Sequence, residues 1–268
     1  MATTTAATAP PPGPPFTIHH LHIGQSERII WLAEELGLSY TLQLHTRHPI
    51  FSPPSLTALT PQGSAPVLAS TTPSGTPFVI SETNAITEYL LSPLYNPSGH
   101  LTVRPGAENY HAYVFWLHFA NGTLQPALGR KLTAQGLDPE GLNPRSKATD
   151  AGVAKALRHL DARLRETRAW LAGDVFTAAD VMTVWCVTTM RQFSPVDLSP
   201  YEGVLHWLAR VAQREAYQRA MAKGDPELDW RRAMTAEGPG LFPPLLALRE
   251  KGKSQSDGSK GGHGTPKA

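Results

Sequence analysis

One stretch of this chain concentrates residues that can do chemistry. It reads HHLHIGQSERIIWLAEEL from His19 to Leu36. A strand-like run, HHLHI, stops at Gly24, and helical apolar spacing takes over at Ile29, Ile30, Leu32, Ala33 and Leu36. A helix start presents free N–H groups and the positive end of the helix dipole, so this junction stabilises an anion. Its side chains are Gly24, Gln25 and Ser26, with neither Cys nor Tyr. His19, His20 and His22 invite a metal reading. Alternate strand residues point to opposite faces and no carboxylate cluster stands nearby, so no metal is expected. The single cysteine, Cys186, lies in an apolar helical stretch and reads as a buried, inert thiol.

The elements that must position these residues alternate at first. FTIHHLHI (16–23) and SYTLQLHT (39–46) have β composition around a helical segment, 25–37, that ends on Gly37. This β-α-β unit implies a parallel pair with a right-handed crossover. After a Pro- and Ser-rich stretch with a short helix at 54–59, APVLAS (65–70) and PFVISE (77–82) read as an antiparallel pair, backed by a helix at 83–91. NPSGHLTVRPG (96–106) is a linker by composition. Beyond it, 107–132, 145–171, 178–193 and 201–221 carry only helical spacing. Thr177 and Asp180 form a capping box at one helix start, with Phe176 and Val181 as its hydrophobic staple. The expected organisation is a lead-in (1–15), an α/β domain (16–95), the linker, an all-helical domain (107–245) and a Gly-, Ser- and Lys-rich tail (246–268). Lead-in and tail are expected to be disordered.

Composition narrows the function classes. The formal charge of +2 gives no reason to expect nucleic acid. A lone cysteine excludes a disulfide framework within the chain and suits a reducing, cytoplasmic setting. No apolar stretch approaches the roughly 20 residues of a membrane span.

Four stretches in this order resemble cytosolic glutathione transferases, in their fungal and bacterial branch with a Ser-type first-helix junction. They are HHLHIGQSERIIWLAEELGLSY, PQGSAPVL, ISETNAITEYL and FWLHFANGTLQPAL, with the FTAAD box as a weaker fifth. The resemblance covers roughly 16–222 and implies a thioredoxin-like first domain, glutathione as co-substrate, a small apolar electrophile and a homodimer. Pro66 is then cis, and Ala65 before it offers its backbone to the cysteinyl part of glutathione as an added strand would. Glu82 and Thr83 hold the γ-glutamyl end, Thr83 with its hydroxyl and the free amides of the helix start. A plain N-cap threonine is the alternative. Ser64 replaces a lysine of many relatives that pairs with the glycyl carboxylate, and Arg47 or His48 is the nearest replacement. Gly24 and Gln25 replace a hydroxyl residue and an arginine. Ser26 is left as the hydroxyl donor to the thiol, supported by the backbone amides of Gln25 and Ser26, or else serves only as a cap.

In the helical domain His118, Asn121 and Thr123 share a face that the resemblance turns toward the thiol. His118 there serves as donor or proton acceptor, or packs between helices. Trp116 and Phe119 read as core, whereas Tyr110, Tyr113 and Phe115 are candidates for the substrate wall. The implied reaction is attack of the glutathione thiolate on an electrophilic carbon. Two alternatives stand beside it. One is a specialised fungal biosynthetic enzyme of the same fold, forming C–S bonds, isomerising or cyclising, with or without glutathione. The other is a glutathione-binding module without catalysis.

Overall fold

A computed structural model describes residues 13–248. Its first part holds a four-stranded sheet, with β1 (Thr17–Leu21), β2 (Thr41–His45), β3 (Val67–Thr71) and β4 (Pro77–Ser81) in the order β2-β1-β3-β4. β1 and β2 run parallel, and the β1–β3 and β3–β4 pairs are antiparallel. Helices α1 (Glu27–Glu35), α2 (Pro54–Thr57) and α3 (Thr83–Leu91) complete this part. The remainder is helical: α4 (Tyr110–Phe119), α5 (Gln125–Leu137), α6 (Pro144–Thr167), α7 (Ala178–Val187), α8 (Glu202–Val211), α9 (Glu215–Gly224) and α10 (Trp230–Ala233). This is the α/β thioredoxin-like then all-α order that the alternating pattern and the resemblance led us to expect. No helix among the described residues is long and apolar enough to cross a membrane.

Helix α1 joins the two parts. Its residues Glu27 to Ala33 are all buried, because one side packs on the sheet and the other on α7 and α9. Trp31 lies edge-on to Tyr217 at 4.9 Å between ring centroids and also meets Phe176. Burying such a side chain stabilises the fold by about 2–3 kcal/mol. At the far end of α1, Glu35 takes both Arg214 donors, at 2.6 and 2.7 Å.

The capping box forms at the start of α7, with the Thr177 N–H donating to Asp180 Oδ2 at 3.1 Å. Asp180 also accepts from the Leu171 N–H and the Trp207 indole, which ties three segments of the helical part together. Burial pushes its carboxyl up to about 6. Trp116 and Phe119 are core residues, and Cys186 is buried with its thiol pushed up to about 11 by burial.

The elements depart from the sequence reading in four places. The stretch 178–193 leaves α-helical geometry after Val187 and continues as a 3-10 turn over Thr189–Gln192. The stretch 201–221 is two helices, because the Gln213 and Arg214 amides turn back onto the Arg210 and Val211 carbonyls in a tight turn. Within 107–132, residues Ala120–Leu124 form a π-helical turn between α4 and α5, an irregularity that apolar spacing does not register and that often marks functional positions. Residues 13–15 of the expected lead-in are packed, since the Pro14 carbonyl accepts from the Tyr95 hydroxyl and the Pro15 carbonyl from Ser70. The rest of the lead-in, and the tail beyond 248, lie outside the described residues.

Candidate functional site

Two strand-to-helix junctions of the sheet domain carry most of the candidate residues. At the first, between β1 and α1, Ser26 is fully buried and turned inward. Its hydroxyl oxygen accepts from the Leu21 N–H at 3.2 Å and lies 2.9 Å from His20 Nδ1. His20 Nε2 in turn lies 3.1 Å from Asp225 Oδ2, across the domain boundary at the end of α9. This serine–histidine–aspartate chain has the order of a nucleophilic triad. With Ser26 and His20 both inaccessible, it acts as a fastening between domains. The hydroxyl donor to a bound thiol that Ser26 was expected to supply is therefore corrected: its Oγ is engaged within the core.

Asp225 also accepts from the Ile23 N–H at 2.8 Å and meets His22 Nδ1 at 3.2 Å. Burial alone raises such a carboxyl, but hydrogen bonds with His20 and His22 outweigh it and hold Asp225 well below the usual carboxylate range. The hydrogen bond to Asp225 conversely raises His22. Asp225 and Arg47 grip Ile23 from both sides, which keeps this β-branched residue at φ 51°, a conformation that costs about 1–3 kcal/mol. Gly24 follows for a steric reason: a Cβ there sits 2.6 Å from the Leu21 carbonyl oxygen. The hydroxyl side chain that the resemblance implies at this position does not fit this turn.

Arg47 is corrected as well. Its guanidinium donates to the carbonyls of His22, Ile23 and Ile50 at 2.8–2.9 Å and stacks over Phe193 at 5.1 Å. Burial pulls it down to about 10. It holds the turn rather than presenting a fork to a glycyl carboxylate. His48 and Ser64 are exposed. His19 pairs with His45 at 3.1 Å, so the three strand histidines serve two separate networks.

Between the junctions, the Ala65–Pro66 bond is cis, as the resemblance implied. The Ala65 carbonyl accepts from Gln25 Nε2 at 2.9 Å.

The second junction, between β4 and α3, is open. Glu82 is exposed and held at φ 75° immediately before α3. Thr83 begins α3 and is buried. Asn84 lies 3.0 Å from His118 Nδ1, so His118, exposed on α4, faces the start of α3 across the domain boundary. The buried Asn84 side-chain oxygen has no hydrogen-bond partner. Free helix-start amides, a strained exposed acid and an unpaired buried acceptor stand together here. They suit a ligand carrying a carboxylate and an ammonium group.

Of the other helical-domain candidates, Asn121 accepts from Arg28 Nη1 at 2.7 Å and so reaches the first junction. Thr123 is exposed on the same π-helical turn. Tyr110 is half-buried, with Tyr113 as its ring neighbour. Phe115 is corrected: its ring meets Trp116, Phe119 and His159, and it lines a groove of about 550 Å³ between α4 and α6. The lining of that groove includes no residue of the sheet domain, so Phe115 does not wall the space between the domains.

Two residues of the first junction escaped sequence reading. Arg28 is fully buried and touches no carboxylate among the described residues. Glu27 beside it is buried against the Thr189 hydroxyl at 2.6 Å, and burial pushes it up to about 8. A charged pair opening the apolar run IIWLA was the available signal.

Comparison with known proteins places the chain. The N-terminal domain family of glutathione S-transferases matches residues 25–92 and the C-terminal domain family matches 107–215. Glutathione S-transferase 3 of Schizosaccharomyces pombe is 27% identical over 222 residues, 77% of this chain and 86% of the relative. A glutathione S-transferase structure from Actinobacillus pleuropneumoniae is 28% identical, covers 84% of this chain and 100% of its own, and superposes with a TM-score of 0.68. A Phanerochaete chrysosporium glutathione transferase in complex with oxidized glutathione shares the fold at 21% identity, with a TM-score of 0.62 over 80% of this chain and 98% of that one. With the two domain families matched in order over more than half of its length, this chain belongs to the glutathione S-transferase family.

Proposed function

We propose that this protein is a glutathione S-transferase that transfers the glutathione thiolate to a small apolar electrophile held between its two domains. The observation that carries this reading is the open junction at the start of α3, where Glu82, Thr83 and the unpaired Asn84 oxygen converge. Glu82 takes the γ-glutamyl ammonium, and the Thr83 hydroxyl and first amides of α3 take its carboxylate. The backbone of Ala65 pairs with the cysteinyl unit as an added strand would. That brings the sulfur to the start of α1, where the helix dipole favours its anion.

In the reaction the thiol loses its proton to solvent and the sulfur forms a bond to carbon. The electron pair leaves with the displaced group or moves into a conjugated acceptor that is then protonated. In this reading His118, which meets Asn84 across the boundary, passes a proton at the domain interface. Ser64 carries no charge and Arg47 is spent on the turn, which leaves the exposed His48 as the nearest group to the glycyl carboxylate, so binding is weak, by about 10–100-fold relative to a site with a permanent cation. Domain limits of 16–95 and 107–245, a homodimer and a cytoplasmic setting belong to the same reading. Relatives bearing the glutathione transferase name support it, as does the P. chrysosporium protein's complex with oxidized glutathione.

Calorimetric titration with glutathione, run beside a chlorodinitrobenzene conjugation assay, tests the proposal. Binding with turnover is expected. Absence of binding at millimolar glutathione overturns it.

A further inference from the structure

The Gln25 side chain is held in one orientation by groups from both domains. Its Oε1 accepts from Arg28 Nη2 at 2.7 Å and from Gln125 Nε2 at 2.8 Å, which fills both lone pairs. Flipping the amide would set its NH₂ group against a guanidinium, so the nitrogen has to point the other way. There Nε2 donates one hydrogen to the Ala65 carbonyl at 2.9 Å. An amide nitrogen carries two hydrogens, and the second has no partner among the described residues.

Arg28, which sets this orientation, is itself fixed by the Gln25 carbonyl, Asn121 Oδ1, the Met182 carbonyl, Gln125 Oε1 and the face of Trp185. It is fully buried, and no carboxylate contacts its guanidinium among the described residues. A hydrogen bond from such a cation polarises the Gln25 amide and strengthens its N–H groups as donors.

We propose that Gln25 is the side chain that holds the bound thiol as a thiolate, its second amide hydrogen directed at the sulfur, with Arg28 and Gln125 as the positioning residues behind it. This rests on the glutathione reading above. A cysteinyl unit paired along Ala65 puts its own N–H on the carbonyl that Gln25 already meets. Its sulfur, one carbon from the backbone, then lies within reach of the same Nε2. Gln25 thereby takes over the work for which Gly24 has no side chain and Ser26 is turned inward.

The test compares wild type with Gln25→Ala and Gln125→Leu. The pKa of the bound glutathione thiol is read from its ultraviolet thiolate absorbance, and affinity for S-methylglutathione, which has no thiol, is read by calorimetry. Gln25→Ala is expected to raise the bound thiol pKa by about one unit, with S-methylglutathione affinity changed less than about fivefold. Gln125→Leu is expected to raise it by a smaller step, as the amide loses one of its two anchors. An unchanged thiol pKa in Gln25→Ala overturns the proposal. So does tighter binding with an unchanged pKa, which would make Gln25 only a plug on the Ala65 carbonyl. Failure of the wild type to bind S-methylglutathione overturns instead the glutathione reading on which this rests.

Discussion

The two strand-to-helix junctions of the sheet domain start from similar chemistry and end in opposite states. Both put polar residues where a helix begins, and both hold a non-glycine residue at positive φ, Ile23 at 51° and Glu82 at 75°. At the β1–α1 junction the polar groups turn inward. Ser26, His20 and Asp225 fasten one domain to the other, and Arg47 grips the turn. At the β4–α3 junction they stay available: Glu82 is exposed and the Asn84 oxygen is unpaired. The same local motif is thus a structural fastening in one place and leaves its polar groups open to a ligand in the other. What separates them is whether α9 supplies a buried carboxylate to complete the hydrogen bonds.

The largest expected effect breaks the fastening. Asp225→Ala leaves His20 and the Ile23 amide buried without their acceptor, and is expected to cost about 3–5 kcal/mol of unfolding free energy in denaturant titration. A loss under 1 kcal/mol would show that Asp225 does not tie the domains. At the open junction the pattern should reverse. Glu82→Gln is expected to weaken glutathione binding about 10–100-fold by calorimetry, yet to change stability by less than about 0.5 kcal/mol. Unchanged affinity would remove Glu82 from the site.

Ser26→Ala sharpens the contrast at a smaller scale. It should destabilise the fold by about 1 kcal/mol and leave the bound thiol pKa where it was. A raised thiol pKa would return Ser26 to the thiol.

A further contrast concerns pH. The folded state keeps Glu27 protonated up to about 8, whereas an unfolded chain releases that proton near 4.5. Stability attributable to Glu27 is therefore full below 4.5 and falls as pH rises toward about 8. Glu27→Gln should flatten that slope in unfolding free energies measured across the window. An unaltered slope would place the titration elsewhere.

Much of this was legible in the chain. Strand alternation, helical spacing and the Thr177–Asp180 box rest on contacts between near neighbours, and each stands in the structure. Sequence also brought out the β4–α3 junction, because Glu82 and Thr83 take their positions from the end of a strand and the start of a helix. Phe115 and Arg47 were misplaced for another reason. Spacing tells which residues share a face, but not which neighbour that face meets, here α6 for Phe115 and the 22–23 turn for Arg47.

By itself the sequence determined the order of elements, the division between a sheet part and a helical part, and the family, because these follow from residue type and periodicity along the chain. Only the tertiary structure decided which side chains of HIGQSER are locked inward, as Ser26 is, and which keep a donor hydrogen without a partner among the described residues, as Gln25 does. That choice depends on Asp225, Asn121 and Gln125, which lie about 100 to 200 residues further along the chain and meet the junction only when α1 is buried between the domains.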